Sequence, residues 1–348
     1  MKIVLLSDGT GNAAASVWRT NVWRVFESLE RIAHTQIVLY DDGVGTSPFL
    51  PDAVLGLMFG KGLKRNVLHF YEFLCRTYSS GDEIFAFGFS RGAFAIHTLV
   101  GMVADQGLVR FENEVDLHRN AKAAYKAYRL GRKNNTSVSL ASLNLFRRIL
   151  GRKLYLRSDN RQIDIRFVGL WDTVAAYGLP VEEMARGVSR LLSSFRLPSR
   201  TLSNIVQRAC LAISLDDERT TFHPILWDER QEAASKPNSD GKRYTEDERI
   251  SQVWFSGVHA NVGGGYPDDS LAHVSLCWMM QEAAKCGLKF KRAPQSEPDA
   301  FKTSFSARDN SGRLYDSRTG LHRLYRYGPR KLADLCHAQS SERVEDRV

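Results

Sequence analysis

Residues 83–93 read Glu83-Ile84-Phe85-Ala86-Phe87-Gly88-Phe89-Ser90-Arg91-Gly92-Ala93. Glu83 to Phe89 is an apolar-rich run of strand length, and the residues from Arg91 to Ala104 carry a helical pattern. Only Ser90 stands between them. Gly88-Phe89-Ser90-Arg91-Gly92 fits G-x-S-x-G, the strand–turn–helix elbow that lifts a serine above the end of a sheet. Glycines two before and two after the serine let strand and helix pack closely around the turn. A serine hydrolase reading starts here.

Working outward, Lys2 to Leu6 reads as a strand and Trp18 to Ile32 as a helix with Val22, Val25, Phe26 and Leu29 on one face. Gln36 to Tyr40 is a second strand, and Asn66 to Tyr78 a helix buried through Val67, Phe70, Phe73 and Leu74. Ile163 to Leu170 and Ile250 to Val258 read as the fourth and fifth strands, and Leu271 to Lys285 as a closing helix. Strands alternating with helices predict a mostly parallel α/β sheet with flanking helices. Two segments break the alternation: 110–161, read as a lid or cap insertion, and 231–248, a polar surface loop. A single domain over 1–348 is expected, with 288–348 as a C-terminal extension in which the pattern fades.

Composition agrees. The chain has 348 residues, 43% apolar and 25% charged, which excludes a disordered, collagenous or coiled-coil protein. No apolar run approaches the ~20 residues of a spanning helix. Ile3 to Leu6 is too short for the core of a signal peptide, so synthesis in the cytoplasm is expected. Five cysteines without a C-x-x-C pair argue against a disulfide scaffold or a zinc site. The net charge of +9 is concentrated: residues 110–161 hold 13 basic and 4 acidic side chains. That segment is either a solvated helical face or a surface for anionic partners such as phospholipid headgroups. No nucleic-acid-binding pattern accompanies it, so no nucleic-acid partner is expected. Oligomeric state is not legible.

A serine hydroxyl is a weak nucleophile until a base takes its proton, and the base must itself be oriented. In this fold the chain order is serine, acid, histidine. Asp172 follows the strand ending Leu170-Trp171, and His259 follows the strand ending Val258, ahead of the glycine-rich Val262-Gly263-Gly264-Gly265. Asp216 and Asp217 are weaker candidates for the acid, and His97 and His223 for the base. The oxyanion needs two backbone donors, expected from Arg91 and from the loop after the first strand, Gly9-Thr10-Gly11. Asp8 and Asn12 flank that loop as candidates for ordering it or for contacting substrate. Gly9-Thr10-Gly11-Asn12-Ala13-Ala14 also fits a dinucleotide-binding G-x-G-x-x-A, but its expected acidic partner is misplaced and Asp8 would repel a pyrophosphate. Asp8, Asp41, Asp42 and Asp172 lie at strand ends without a spacing that fixes a metal ligand set, so no metal is expected.

Seven motifs occur in order. They are Asp8-Gly9-Thr10 with Asn12, Thr20-Asn21-Val22, Gly43-Val44-Gly45-Thr46, Phe59-Gly60 with Gly62-Leu63, Gly88 to Ala93, Trp171-Asp172-Thr173-Val174, and Gly257-Val258-His259 with Val262 to Tyr266. With them the chain, from about Lys2 to Gly287, resembles an α/β-hydrolase family whose members include the catalytic domains of type VI secretion phospholipase effectors. The resemblance implies Ser90 as nucleophile, His259 as base and Asp172 as orienting acid, acting on phospholipid acyl esters without metal or organic cofactor. A general non-lipid esterase on the same residues, and a catalytically silent binding module, are the alternatives. Export of the type VI kind, independent of a signal peptide, is a further implication.

Overall fold

A computed structural model of the protein describes residues 1–9, 18–30, 35–42, 52–131, 157–174, 200–229, 232, 248–291, 306–316, 318 and 326–330. The described strands are β1 (Lys2–Ser7), β2 (Gln36–Asp41), β3 (Glu83–Phe89), β4 (Phe167–Trp171), β5 (Ala209–Ser214) and β6 (Ile250–Phe255). They form one sheet in the order β2-β1-β3-β4-β5-β6, and every pairing is parallel. The described helices are α1 (Asn21–Ser28), α2 (Asp52–Thr77), α3 (Arg91–Gln106), α4 (Glu114–Gly131), α5 (His259–Gly263) and α6 (Ser270–Lys285). This is the α/β-hydrolase-like architecture expected from the sequence.

A parallel sheet must be covered on both faces, so its strands are apolar on both sides. β1 does this within four residues. Ile3 and Leu5 join the core that holds Val67, Phe70 and Leu74 of α2 with Ile96 and Leu99 of α3. Val4 and Leu6 point to the other face, with Val22 and Val25 of α1 and Leu276, Met279 and Met280 of α6.

Two elements differ from the sequence reading. β5, Ala-Cys-Leu-Ala-Ile-Ser, was not anticipated, so the sheet has six described strands where five were legible. α2 begins at Asp52 rather than near Asn66. Of the basic segment 110–161, residues 114–131 form α4, which buries Leu117, Ala121, Ala124, Tyr125 and Tyr128 in the main core. Residues 132–156 lie outside the described set, as does most of the loop 231–248.

The register brings five strands to a common end. Ser7 pairs with Gly88, Phe89 with Trp171, Trp171 with Ala212, and Ser214 with Phe255. The residues just beyond these ends are Asp8, Ser90, Asp172, Leu215 and Ser256. Between β1 and β3 the order reverses direction, and in open α/β sheets ligands bind beyond the carboxyl ends of the strands at such a switch point.

The tightest contact in this region is glycine-dependent. A Cβ on Gly92 would lie 2.1 Å from the Ser7 carbonyl oxygen, and one on Gly88 would lie 2.7 Å from the Ala93 backbone. Gly92→Ala therefore forces α3 away from β1, and a loss of about 1–3 kcal/mol or more is expected. It is read as a lower urea midpoint with unchanged slope. Gly328→Ala, whose Cβ would meet, among the described residues, Thr220 Cγ2 at an ordinary 3.5 Å, serves as the unaffected control. An equal midpoint for Gly92→Ala and wild type would contradict the packing argument.

Candidate active site

Ser90 is the single residue between β3 and α3, and its backbone has φ 57° and ψ −120°. A serine pays of order 1–3 kcal/mol for such a conformation, so the surroundings must impose it. They do so through the Ser90 N–H, which donates to the Trp171 carbonyl at 3.0 Å, and the Ser90 carbonyl, which accepts from Phe94 N at 3.2 Å. The side chain does not cap α3, the usual use of a serine at this position. Arg91, the predicted oxyanion donor, is the first residue of α3.

Asp172 is the other described non-glycine residue with positive φ, at 37°. It follows β4 and is fully buried. Its Oδ2 accepts from His259 Nδ1 at 2.6 Å and from Ser214 Oγ at 2.9 Å. Its Oδ1 accepts from Ser214 N at 3.0 Å and from Arg330 Nη1 at 3.3 Å. Burial alone would raise the carboxyl's pKa. The Arg330 charge, the His259 bond and the Ser214 N–H outweigh burial and hold the group well below the usual carboxylate range. An ionised Asp172 fixes the proton of neutral His259 on Nδ1, which leaves the lone pair on Nε2.

His259 opens α5 after a turn at Gly257, whose φ is 104°. Its ring lies 4.6 Å from that of Phe89, the residue before Ser90, and meets the Phe222 ring edge-on at 5.1 Å. Gly263 of α5 sits on the same Phe89 ring so closely that a Cβ would come within 2.0 Å of it. Asp216 and Asp217 hold the backbone of this turn and not the imidazole. Asp216 Oδ2 accepts from Gly257 N at 2.5 Å, and Asp217 Oδ2 from His259 N at 3.1 Å. Asp217 is also forked by Arg219, at 2.9 and 2.6 Å. His97 is buried in α3 and accepts from Trp227 Nε1 at 3.3 Å, and His223 is half-buried beyond Phe222.

Asp8, after β1, is buried and crowded with donors. Thr20 Oγ1 lies at 2.5 Å, Tyr40 Oη at 2.8 Å and the Gly9 N–H at 2.7 Å. Gly9, expected among the oxyanion donors, thus gives its N–H to Asp8 in this structure. Thr10, Gly11 and Asn12 lie outside the described residues. Arg330, which donates to Asp172 and to the Asp217 and Phe222 carbonyls, was not legible as a site residue, because no motif surrounds it.

A parallel sheet with a strained serine turn after β3, an acid after β4 and a histidine after β6, all at the same end of the sheet, defines an α/β-hydrolase-like protein. The family described as "T6SS, Phospholipase effector Tle1-like, catalytic domain" matches residues 1–282, and the chain belongs to that family of hydrolases. Among curated proteins it is similar to Uncharacterized protein YEL023C of Saccharomyces cerevisiae, 27% identical over 245 residues, 65% of this chain and 32% of that protein. The chain thus spans about a third of that relative's length. Among solved structures it is similar to an uncharacterized protein from Pseudomonas aeruginosa, with TM-score 0.46 and 16% identity over 88% of this chain and 50% of that one. It is also similar to a thermophilic esterase, Est2, from Thermogutta terrifontis, with TM-score 0.37 and 12% identity over 85% of this chain and 84% of that one.

Burial raises the Asp8 pKa from 3.8 to about 6, against the opposing bonds from Thr20, Tyr40 and Gly9. The folded protein then holds this proton over a range in which the unfolded chain has released it. Stability therefore falls as pH rises from about 4 to about 6. Thermal midpoints measured across that window should show a steeper decline for wild type than for Asp8→Asn. Parallel curves would contradict the assignment.

Proposed function

We propose that the chain is a serine hydrolase that cleaves phospholipid acyl esters through Ser90, His259 and Asp172. The observation that carries this reading is the 2.6 Å bond from His259 Nδ1 to the buried Asp172, made beside the strained Ser90 turn. In the first half-reaction Ser90 Oγ attacks the ester carbonyl while Nε2 of His259 takes the hydroxyl proton. Asp172 stabilises the imidazolium. The tetrahedral intermediate collapses, the carbonyl–alkoxide bond breaks, and the same proton goes to the departing alcohol. Water, deprotonated by His259, then attacks the acyl-enzyme, releasing the fatty acid and restoring Ser90.

The N–H of Arg91 supplies one oxyanion donor, and the loop opening at Gly9, with Thr10 and Gly11, supplies the second. Since Gly9 N–H faces Asp8 here, this half of the hole rests on Thr10 and Gly11 or on a shift of the Asp8 carboxyl. No step calls for a metal or an organic cofactor. Family membership favours a phospholipid over a general ester, and the basic segment 110–161 suits an anionic membrane surface. Within α4 its exposed cations include Lys122 and Lys126. Cytoplasmic synthesis followed by type VI export fits the same family.

The test compares wild type and Ser90→Ala on phosphatidylglycerol and phosphatidylethanolamine vesicles and on a short-chain ester. Ser90→Ala is expected to lower fatty-acid release by at least about a thousandfold with little change in unfolding midpoint. Release from the short ester alone would point to the general esterase, and activity retained in Ser90→Ala would overturn the assignment.

A further inference from the structure

The family match ends at residue 282, yet later parts of the chain return to the acid and the base. Residues 306–316 lie along α5. Asn261 Nδ2 donates to the Arg313 carbonyl at 3.0 Å, Asn261 Oδ1 accepts from Tyr315 N at 3.3 Å, and Tyr315 stacks on Tyr266 at 4.0 Å. Residues 326–330 run beside the segment after β5. Thr220 N donates to the Arg326 carbonyl at 3.0 Å and Gly328 N to the Glu218 carbonyl at 2.8 Å, and a bridge pairs Arg219 with Tyr327.

This pairing delivers Arg330 into the interior, with its side chain only 3% exposed. Its Nε donates to the Asp217 carbonyl at 2.6 Å and its Nη2 to the Phe222 carbonyl at 3.1 Å. Nη1 lies 3.3 Å from Asp172 Oδ1, the oxygen that His259 does not use. We propose that Arg330 is a positioning residue for the hydrolysis, supplied by the segment beyond the family match, that acts through Asp172 to keep His259 available as a neutral base. The proposal rests on the Ser90–His259–Asp172 reading above.

Orientation alone does not call for an arginine. Ser214 already gives the Asp172 carboxylate two hydrogen bonds, one to each oxygen. What Ser214 cannot supply is charge. Among the described residues, the ionisable groups around His259 and its two acids are Asp172 after β4, Asp217 and Arg219 after β5, and Arg330 from the C-terminal return. Asp216 is spent on Gly257 N, and Glu218 pairs with Arg318 at the surface. Two buried acids are thus balanced by two buried arginines. Removing Arg330 leaves a net negative charge around the imidazole, a setting that favours the protonated ring, which cannot accept a proton from Ser90. The same removal also eases protonation of Asp172. Both effects extend the inactivation at acid pH upward to less acidic pH, so their signs agree. A buried ion pair is poor evidence for a purely stabilising role, since its desolvation cost offsets its attraction.

The experiment measures kcat/KM against pH for a short-chain p-nitrophenyl ester with wild type, Arg330→Gln, Arg330→Met and Arg330→Lys. Arg330→Gln and Arg330→Met should move the midpoint of the acidic limb upward by about one pH unit, a roughly tenfold loss below that midpoint with a smaller loss on the plateau. Arg330→Lys, which keeps the charge, should bring the limb back towards wild type. Two neutral variants are used so that a failure of one to fold leaves the other to be read. Acidic limbs that coincide in wild type and the neutral variants would overturn the proposal, whatever happens to the plateau, because a structural role alone lowers the plateau without moving the limb. Ser90→Ala separates the two claims. If it keeps activity, the catalytic reading falls and the role of Arg330 with it. If it is inactive while the limbs coincide, only the role of Arg330 falls.

Discussion

Between β3 and α3 the chain has one residue in which to turn from strand to helix, and that residue is Ser90. The turn is so short that α3 presses against the end of β1, with Gly92 in contact with the Ser7 and Asp8 carbonyls. Everything at the site follows from this approach. It forces Ser90 to positive φ and places its N–H on the Trp171 carbonyl. It also sets the serine beside the ends of β1 and β4, where Asp8 and Asp172 emerge. The backbone energy spent at Ser90 and Asp172 is offset by the two apolar layers that lock the sheet between α2, α3 and α4 on one face and α1 and α6 on the other.

A second constraint is electrostatic. Asp172 and Asp217 are buried, and a buried charge is tolerated only when paired and hydrogen-bonded. The structure pairs each with an arginine and divides the work. Asp217 and Asp216 hold the main chain around His259, and Asp172 alone meets the imidazole. Asp8 follows the opposite course. Among the described residues its hydrogen-bond partners are neutral donors, so burial prevails and its carboxyl resists ionisation.

Much of this was written locally in the sequence. The glycines at 88 and 92 announced the turn, because close packing of strand and helix leaves no room for a side chain there. The strands β1, β2 and β3 were legible as short apolar runs, and Asp172 and His259 as polar residues at strand ends in the right chain order. β5 was not legible. Its six residues include two alanines, a cysteine and a serine, small side chains that carry little hydrophobic signal yet suit a strand covered on both faces. Chain order admits Asp172, Asp216 and Asp217 alike; the preference for Asp172 comes from its place directly after a strand, and only the fold reveals that the other two hold the backbone. Arg330 was beyond reach, since its partner lies 158 positions away and the pairing of 326–330 with 218–220 follows no motif.

The central claim is that one serine, Ser90, is activated by His259. The most direct measurement is mass spectrometry of the intact protein and its peptides after exposure to a fluorophosphonate, which phosphonylates an activated serine with loss of fluoride. The account predicts a single adduct, on the peptide containing Ser90, that forms far more slowly in His259→Ala. An adduct on another residue, or labelling of Ser90 at an equal rate without His259, would contradict it.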